Sequence, residues 1–259
     1  AAVLYCFWFE ILLHVNQVVG RVGQFIKILE LRSRRGLHYC IVLSKSYAEE
    51  RRKLIDLKHA TLDSKRGTPV NSSSTVYLSV VDKFGNACSF INSNYMGFGS
   101  GVVVPGVGVS LQNRGYGFTT DPSHPNCVEP GKRPFHTIIP AFLMRGDRPQ
   151  MSFGVMGGNM QPQGHLQTLV RMVDYGQHPQ AACDAPRWKV NRGLAVDVED
   201  TMEPDVAATL AARGHAISRI DDPYMDFGAG QFIWKLSDNL DDGYVAASDS
   251  RRDGAAVGF

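Results

Sequence analysis

Residues 72–86, S-S-S-T-V-Y-L-S-V-V-D-K-F-G-N, contain the transition on which the fold depends. The preceding residues 58–74 form a polar linker with a proline, a glycine and four serines, and they lack hydrophobic periodicity, as is typical of an exposed loop. From Thr75 onward the residues are β-branched and apolar, K-F-G-N supplies a turn, and residues 87–93 read A-C-S-F-I-N-S. This pattern predicts a β-hairpin whose first strand begins at Thr75.

The rest of the chain alternates helix-like and strand-like segments. Apolar residues at helical spacing, or prolines in a first turn, predict helices at 43–57, 163–175, 179–185 and 204–213. Further strands are expected at 102–104, 137–144, 150–155, 232–237 and 244–248. Strand pairs, central helices and closing strands predict an α+β fold with sheets packed between helical layers.

Composition and charge argue against several classes of protein. The 259 residues are 44% hydrophobic and 20% charged, which is ordinary for a globular chain with a sizeable core. The formal net charge of +2 gives no electrostatic basis for binding nucleic acid or an anionic membrane. Five cysteines occur without C-x-x-C pairs or zinc-like spacing, so we expect buried thiols rather than disulfides or a metal site.

The first residues are apolar but do not resemble a clean membrane span. Residues 3–19 are interrupted by Glu10, His14 and Asn16 and are shorter than the roughly 20 apolar residues that a spanning helix needs. No basic residue precedes them and no small-residue cleavage site follows, so we expect no signal peptide. A buried or amphipathic helix is favoured over a membrane anchor, and the compartment stays open.

Thr75 is in a suitable position for one kind of nucleophilic chemistry. A hydroxyl group is a poor nucleophile until a base removes its proton. If the peptide bond before a threonine is cleaved, the freed α-amine, with a pKa of about 8, lies beside the hydroxyl of the same residue and can act as that base. Such a residue must follow a cleavable loop and begin a rigid strand, and Thr75 meets both conditions. A threonine at the start of a strand is nevertheless more often an ordinary strand residue.

Several separated motifs, in order, resemble those of the gamma-glutamyltransferase family. The resemblance begins at residue 43 and rests on T-V-Y-L-S-V-V-D-K-F-G-N (75–86), F-G-S-G (98–101), L-Q-N-R-G (111–115), P-G-K-R-P (130–134), M-G-G (156–158), D-Y-G (174–176), A-P-R (185–187) and S-D-S-R-R-D-G-A-A-V-G-F (248–259). It implies an α+β fold of the N-terminal nucleophile (Ntn) hydrolase type, a four-layer αββα sandwich, with most of the large subunit missing. Residues 1–36 then stay unassigned, 37–74 are a remnant of that subunit with a helix and a cleavable linker, and 75–259 are the catalytic region.

The resemblance also implies catalytic roles for particular residues. Thr75 would be the nucleophile exposed by self-cleavage after Ser74, and it would form an acyl-enzyme ester. Ser93 matches the hydroxyl that hydrogen-bonds the nucleophile. Gly157 and Gly158 match the glycines whose backbone N–H groups stabilise the oxyanion.

At the substrate pocket, this sequence departs from the family pattern. The aspartate that holds the α-amine of a glutamyl substrate would fall at Gly117, and a glycine cannot make that charge-assisted contact. His136 and Thr137 stand where paired serines bind the α-carboxylate, and Tyr95 replaces an asparagine. We expect Tyr95, Arg114, His136 and Thr137 to bind substrate, although a histidine such as His136 more often only lines a pocket or a core.

The function implied is that of a gamma-glutamyltransferase or glutathione-hydrolase-like amidohydrolase. It would need no metal and no organic cofactor, and its self-cleaved fragments would remain together as a heterodimer acting on a small γ-glutamyl or acyl-amide substrate. Two alternatives stay open: an acylase for glutaryl or cephalosporin-type side chains, and a catalytically silent homologue. A generic serine hydrolase is not indicated, because the sequence contains no G-x-S-x-G.

Overall fold

The computed structural model describes residues 74–97, 99–221 and 227–258, together with Glu49 and His59. Within these residues the strands are β1 (Ser74–Val81), β2 (Ala87–Tyr95), β3 (Ala141–Arg145), β4 (Arg148–Met156), β5 (Trp188–Val190), β6 (Ala195–Glu199), β7 (Ala216–Ile220), β8 (Ala229–Lys235) and β9 (Tyr244–Ser248). The helices are α1 (Met160–Val173), α2 (Pro179–Asp184) and α3 (Pro204–Ala212), with 3₁₀ turns at Arg114–Gly117 and Leu240–Asp242. The predictions for residues 1–36 lie outside the described residues, as does the linker at 58–73 apart from His59. Of the helix predicted at 43–57 only Glu49 is described, as helical.

The predicted hairpin is confirmed. Strands β1 and β2 pair antiparallel, and the turn between them is built on Asp82, whose carboxylate accepts hydrogen bonds from the amides of Phe84 and Asn86. Such side-chain bonds to nearby backbone are the reason that aspartate favours turns. The alternation of β1 turns Thr75 and Tyr77 to one face, and it leaves the apolar side chains on the other face exposed: Val76, Leu78 and Val80.

A four-stranded antiparallel sheet, in the order β3-β4-β8-β9, forms the centre of the described structure. Helix α1 packs on one face of this sheet, and the hairpin packs on the other through Tyr77. The Tyr77 ring fits over Gly154 of β4, where an added Cβ would lie 2.6 Å from the ring. The α+β prediction is therefore confirmed, and the described residues supply three of the four expected layers: helix, sheet and hairpin sheet.

Helix α1 begins three residues before the predicted start. Pro162 lies in its first turn, where the missing N–H has no intrahelical partner to lose. The stripe of Leu166, Leu169 and Met172 faces the core. Two buried amide side chains, Gln163 and Gln167, are satisfied by exchanging hydrogen bonds with the backbone of β5.

The sequence-based prediction missed one sheet and placed one strand wrongly. Strands β5, β6 and β7 form a separate three-stranded sheet, and each is only three to five residues long. The strand expected at 102–104 is absent from the described structure, where Val103 makes a single bridge to Ser110. The loop between these two residues turns at Gly106 and Gly108, which have φ values of 78° and 75°.

The described cysteines are free, but their burial differs. Cys183 is buried as expected, whereas Cys88 is exposed on the outer face of β2 and Cys127 is partly exposed. Of the three described cysteines, the prediction of buried thiols is therefore right for Cys183 alone, while Cys6 and Cys40 lie outside the described residues. Among the described residues no cluster of three or more metal-ligating side chains occurs, and none of the described helices is long and apolar enough to span a membrane.

Candidate active site

The structure brings Thr75 and Ser93 together at the open end of the hairpin. The two residues are opposite each other in the β1–β2 register, and Thr75 Oγ1 donates a hydrogen bond of 3.0 Å to Ser93 Oγ. Both side chains lie on the inner face of the hairpin and are partly exposed. The contact that the resemblance implied is therefore present in the structure.

The backbone is irregular at the predicted cleavage bond. The register shifts between Ser74 and Thr75, because Ser74 pairs with Tyr95 while Thr75 pairs with Ser93. Tyr95 has a φ of 75° and is the one described non-glycine residue with a positive φ. Its amide donates a 3.0 Å hydrogen bond to Ser93 Oγ, which holds this unusual conformation. Bulges and strained residues of this kind concentrate next to active sites.

The packing of the hairpin on β4 follows a regular two-residue step that can be extended to the level of Thr75. Ser79 Oγ lies 2.9 Å from Ser152 Oγ, and two residues closer to Thr75 the Tyr77 ring covers Gly154. Each two-residue step towards the start of β1 therefore corresponds to a two-residue step towards the end of β4. One further step of this alternation would place Thr75 level with the end of β4, just before residues 157–158.

Gly157 and Gly158 adopt conformations that other residues rarely reach. Their φ values are 123° and 58°, and a Cβ on Gly157 would lie 2.7 Å from the Cα atom of Gly228. Their carbonyl groups accept the hydrogen bonds that begin α1, from Met160 and Gln161. These bonds do not involve the two glycine amides, which are the groups that an oxyanion site requires.

Arg114 and Tyr95 form a second part of the site. Arg114 is 8% exposed, and its guanidinium carbon lies 5.2 Å from the centre of the Tyr95 ring, within the range of a cation–π contact. His136 is close enough to feel the Arg114 charge. Burial, together with the charges of Arg114 and Arg133, lowers the pKa of His136 to about 4, so the imidazole is neutral at pH 7.

The loop at Gly117 packs tightly against the segment that contains His136. Asn126 joins the two, since its side chain donates to the Gly117 carbonyl and accepts from the Phe135 amide. A Cβ on Gly117 would lie 3.3 Å from the Phe135 carbonyl oxygen. Thr137, the next residue after His136, is buried.

The structure reveals a buried ionic cluster that the sequence analysis did not identify. Arg187 Nη2 lies 2.6 Å from Asp249 Oδ2, and Arg251 pairs with both Asp249 and Glu199. Burial alone would raise the pKa of Asp249, but the two guanidinium charges and the Gly230 amide outweigh it and hold this pKa below its usual value. Three of these residues lie in the motifs A-P-R and S-D-S-R-R-D-G. The presence of both motifs in family order was the sequence signal that could have pointed to the cluster.

This ionic cluster also supports the glycines of the site. Arg187 Nη1 donates hydrogen bonds to the carbonyl groups of Phe227 and Gly228, at 3.0 and 3.3 Å. Gly228 is the residue that abuts Gly157. Arg187 therefore fixes the backbone against which the candidate oxyanion glycines pack.

The layering of helix, sheet and hairpin sheet described above is that of the Ntn hydrolases. A crystal structure of cephalosporin acylase from Bacillus halodurans shares it with a TM-score of 0.75 and 40% sequence identity, over 96% of this chain and 48% of that chain. The chain belongs to the gamma-glutamyltranspeptidase family, whose model matches residues 37–259.

Two curated relatives illustrate the range within this family. The glutathione hydrolase-like YwrD proenzyme of Bacillus subtilis (strain 168) is 37% identical over 224 residues, which cover 84% of this chain and 41% of the relative. The oxamate amidohydrolase proenzyme of Klebsiella pneumoniae is 38% identical over 190 residues, covering 71% of this chain and 35% of the relative. The chain thus spans less than half the length of each of these three proteins.

Proposed function

We propose that this chain is a threonine-nucleophile amidohydrolase that cleaves itself between Ser74 and Thr75 and then acts on γ-glutamyl or similar acyl amides. The observation that carries the proposal is the Thr75–Ser93 hydrogen bond of 3.0 Å at the head of the hairpin, beside a register shift at the bond to be cleaved. The two fragments would remain associated as a heterodimer.

The proposed reaction uses one hydroxyl group twice. In self-cleavage, Thr75 Oγ1 attacks the Ser74 carbonyl carbon, the C–N bond breaks as the nitrogen takes a proton, and water hydrolyses the resulting ester. The freed α-amine then accepts the proton of Oγ1 as the oxygen attacks an acyl amide. The leaving amine takes this proton, and water or an acceptor amine releases the acyl group from the ester.

The other residues of the site would stabilise this chemistry. Ser93 orients Thr75 Oγ1, and the amides of Gly157 and Gly158 would donate to the oxyanion that forms when the carbonyl is attacked. Each such donor typically stabilises a transition state by about 3–4 kcal/mol. We assign no step to a metal or an organic cofactor.

Gly117 favours a second candidate function, that of an acylase. This residue provides no carboxylate for an α-ammonium group. Two of the similar proteins are named a cephalosporin acylase and an oxamate amidohydrolase, which is consistent with a donor other than a γ-glutamyl group. Release of p-nitroaniline from γ-glutamyl and glutaryl anilides separates the two candidates, and glutaryl turnover equal to or above γ-glutamyl turnover favours the acylase.

Self-cleavage can be tested directly. Denaturing electrophoresis of the purified chain should show fragments of residues 1–74 and 75–259, and N-terminal sequencing of the larger fragment should begin T-V-Y-L. A Thr75→Ala variant serves as the uncleaved control. A single intact band from the unaltered chain after prolonged incubation, without turnover, would instead favour a silent homologue.

A further inference from the structure

The 3₁₀ turn Arg114–Gly117 carries a buried cation to which the proposed reaction assigns no role. We propose that Arg114 makes the acyl-donor pocket selective for a carboxylate, so that the preferred donor is the monoamide of a dicarboxylic acid without an α-ammonium group. This inference rests on the proposed function and narrows its substrate class. It favours a glutaryl-type donor over a γ-glutamyl donor.

Among the described residues, the buried Arg114 guanidinium has no carboxylate partner for its charge. The residue is 8% exposed, and its Nη2 atom has no hydrogen-bond partner among the described residues. By contrast, the buried Arg187 and Arg251 both pair with Asp249. A buried cation without a counter-charge is strongly unfavourable, and a guanidinium is shaped to accept a carboxylate through two parallel hydrogen bonds. A bound carboxylate would supply the missing partner.

A short series of contacts holds this guanidinium near the proposed nucleophile. The guanidinium carbon lies 5.2 Å from the centre of the Tyr95 ring. The Tyr95 amide donates to Ser93 Oγ, which also accepts from Thr75 Oγ1, and both hydrogen bonds are 3.0 Å long. Asn113, the residue before Arg114, donates its amide proton to a carbonyl of β2 at 3.1 Å. The cation is therefore tied to the same strand end as the hydroxyl that would receive the acyl group.

Among the described residues, no carboxylate acts on Arg114 that could also attract an ammonium group. His136 is neutral at pH 7, because its pKa is lowered to about 4 by burial and by the charges of Arg114 and Arg133. Gly117 has no side chain at the position where the family resemblance implies an aspartate. An α-ammonium in this pocket would meet a cation without a compensating carboxylate, whereas a carboxylate of the donor would meet a guanidinium.

Three anilides of equal carbon-chain length test the proposal on the unaltered chain: glutaryl, pentanoyl and γ-glutamyl p-nitroanilide. The glutaryl compound carries the carboxylate, the pentanoyl compound lacks it, and the γ-glutamyl compound adds the ammonium. We expect kcat/KM for the glutaryl anilide to exceed that for the pentanoyl anilide about 10- to 100-fold, the range of a charge-assisted hydrogen bond. The γ-glutamyl anilide should be slower than the glutaryl anilide.

Two variants and a control connect this preference to Arg114. Arg114→Gln should lower the ratio of glutaryl to pentanoyl kcat/KM at least tenfold, mainly through KM for the glutaryl compound. Arg114→Lys keeps the charge without the planar fork and should give an intermediate ratio. Arg145→Gln removes an equal charge from the exposed end of β3 and should leave the ratio unchanged.

The possible outcomes separate this inference from the proposed function. Cleavage before Thr75 with equal glutaryl and pentanoyl turnover, or with γ-glutamyl preferred, overturns the inference and leaves the function standing. If no anilide is cleaved, the proposed function fails, and calorimetric binding of glutarate against pentanoate decides the inference. Glutarate binding at least tenfold tighter than pentanoate, and weakened by Arg114→Gln, supports it, whereas equal affinities overturn it.

Discussion

Among single residues, Ser93 has the most direct influence on the proposed nucleophile. Its Oγ accepts hydrogen bonds from both Thr75 Oγ1 and the Tyr95 amide. Ser93→Ala should therefore lower kcat for anilide release about 10- to 100-fold, since a hydrogen bond that orients a reacting group contributes roughly 1.5–3 kcal/mol. It should also slow the appearance of the 75–259 fragment on denaturing gels.

The neighbouring Asn92 supplies the control for this prediction. It lies on the exposed outer face of β2, opposite Val76, so Asn92→Ala alters the same strand without touching the hydroxyl pair. Equal rates of cleavage and turnover in Ser93→Ala and Asn92→Ala would show that the Thr75–Ser93 bond has no part in the chemistry.

Gly157 combines backbone strain with a close approach, and its substitution should be correspondingly costly. A Cβ added to Gly157 would lie 2.7 Å from the Cα atom of Gly228, and the φ of Gly157 itself is 123°. We expect Gly157→Ala to lower the free energy of unfolding by more than about 2 kcal/mol and to lower kcat at least tenfold. Gly176→Ala is the matched control, because Gly176 has a φ of 63° but open space around its Cβ position. Urea unfolding should show a clearly smaller loss there, and equal losses would contradict the close-approach argument.

Among the structural elements, the hairpin is attached to the central sheet by a partly buried cluster of hydroxyl groups. The Tyr77 hydroxyl lies 2.7 Å from both Ser79 Oγ and Ser89 Oγ, and Ser79 continues to Ser152 on β4. Burial raises the pKa of Tyr77 and outweighs these hydrogen bonds, so the phenol stays protonated and can donate one of them. This cluster fixes the position of β1 against β4, and hence the position of Thr75 at the start of β1.

Tyr77→Phe tests this attachment while keeping the ring over Gly154. Loss of the hydroxyl should reduce the free energy of unfolding by about 1–2 kcal/mol, because the serine hydroxyl groups lose a buried partner. Tyr116→Phe, at a residue that is 66% exposed, should be within about 0.5 kcal/mol of the unaltered chain. Chemical denaturation of the two variants measures the difference, and identical midpoints would show that the hydroxyl cluster contributes nothing to stability.

Local patterns predicted the elements that depend on local sequence. The hairpin follows from β-branched alternation around K-F-G-N, and α1 follows from its apolar stripe, apart from a first turn obscured by Pro162. Strands β5 to β7 escaped prediction because they are too short for a period to appear, and because β6 pairs with β7 only across the intervening helix α3. At the candidate site, the order of motifs predicted Thr75 and Ser93 as neighbours. The burial of Arg114 could not be predicted in this way, because it depends on the packing of two loops.

At the scale of the whole molecule, the closing residues of the chain form part of the core. Arg187 and Asp249 are 62 positions apart in sequence, and their ion pair holds the terminal motif S-D-S-R-R-D-G against α2 and β8. Asp249 also accepts the Gly230 amide, so it connects the end of β9 to the strand beside it. The same cluster fixes Gly228 behind Gly157. The backbone geometry of the candidate site therefore depends on residues close to the end of the sequence.

The stability of the molecule should also depend on pH through a buried histidine that stays neutral in the folded state until the pH falls to about 3. His165 is 1% exposed, and its Nε2 accepts a 2.9 Å hydrogen bond from the Val155 amide in the central strand. Burial, and then the Arg187 charge, lowers its pKa from 6.5 to about 3. The folded state thus binds fewer protons than the unfolded state between these values. The stabilisation is complete above about pH 6.5 and is lost as the pH falls towards 3, by at most about 1.4 kcal/mol per pH unit.

His165→Gln keeps an acceptor for the Val155 amide but cannot titrate, so it should flatten this dependence. Urea unfolding at pH 7.5, 6.0 and 5.0 measures it, in a range that lies above the acid titration of Asp249, whose pKa is lowered. His136, with a pKa of about 4, contributes in the same range, and His136→Gln should remove a separate part of the slope. An unchanged slope in His165→Gln would show that the titration of His165 does not control acid stability.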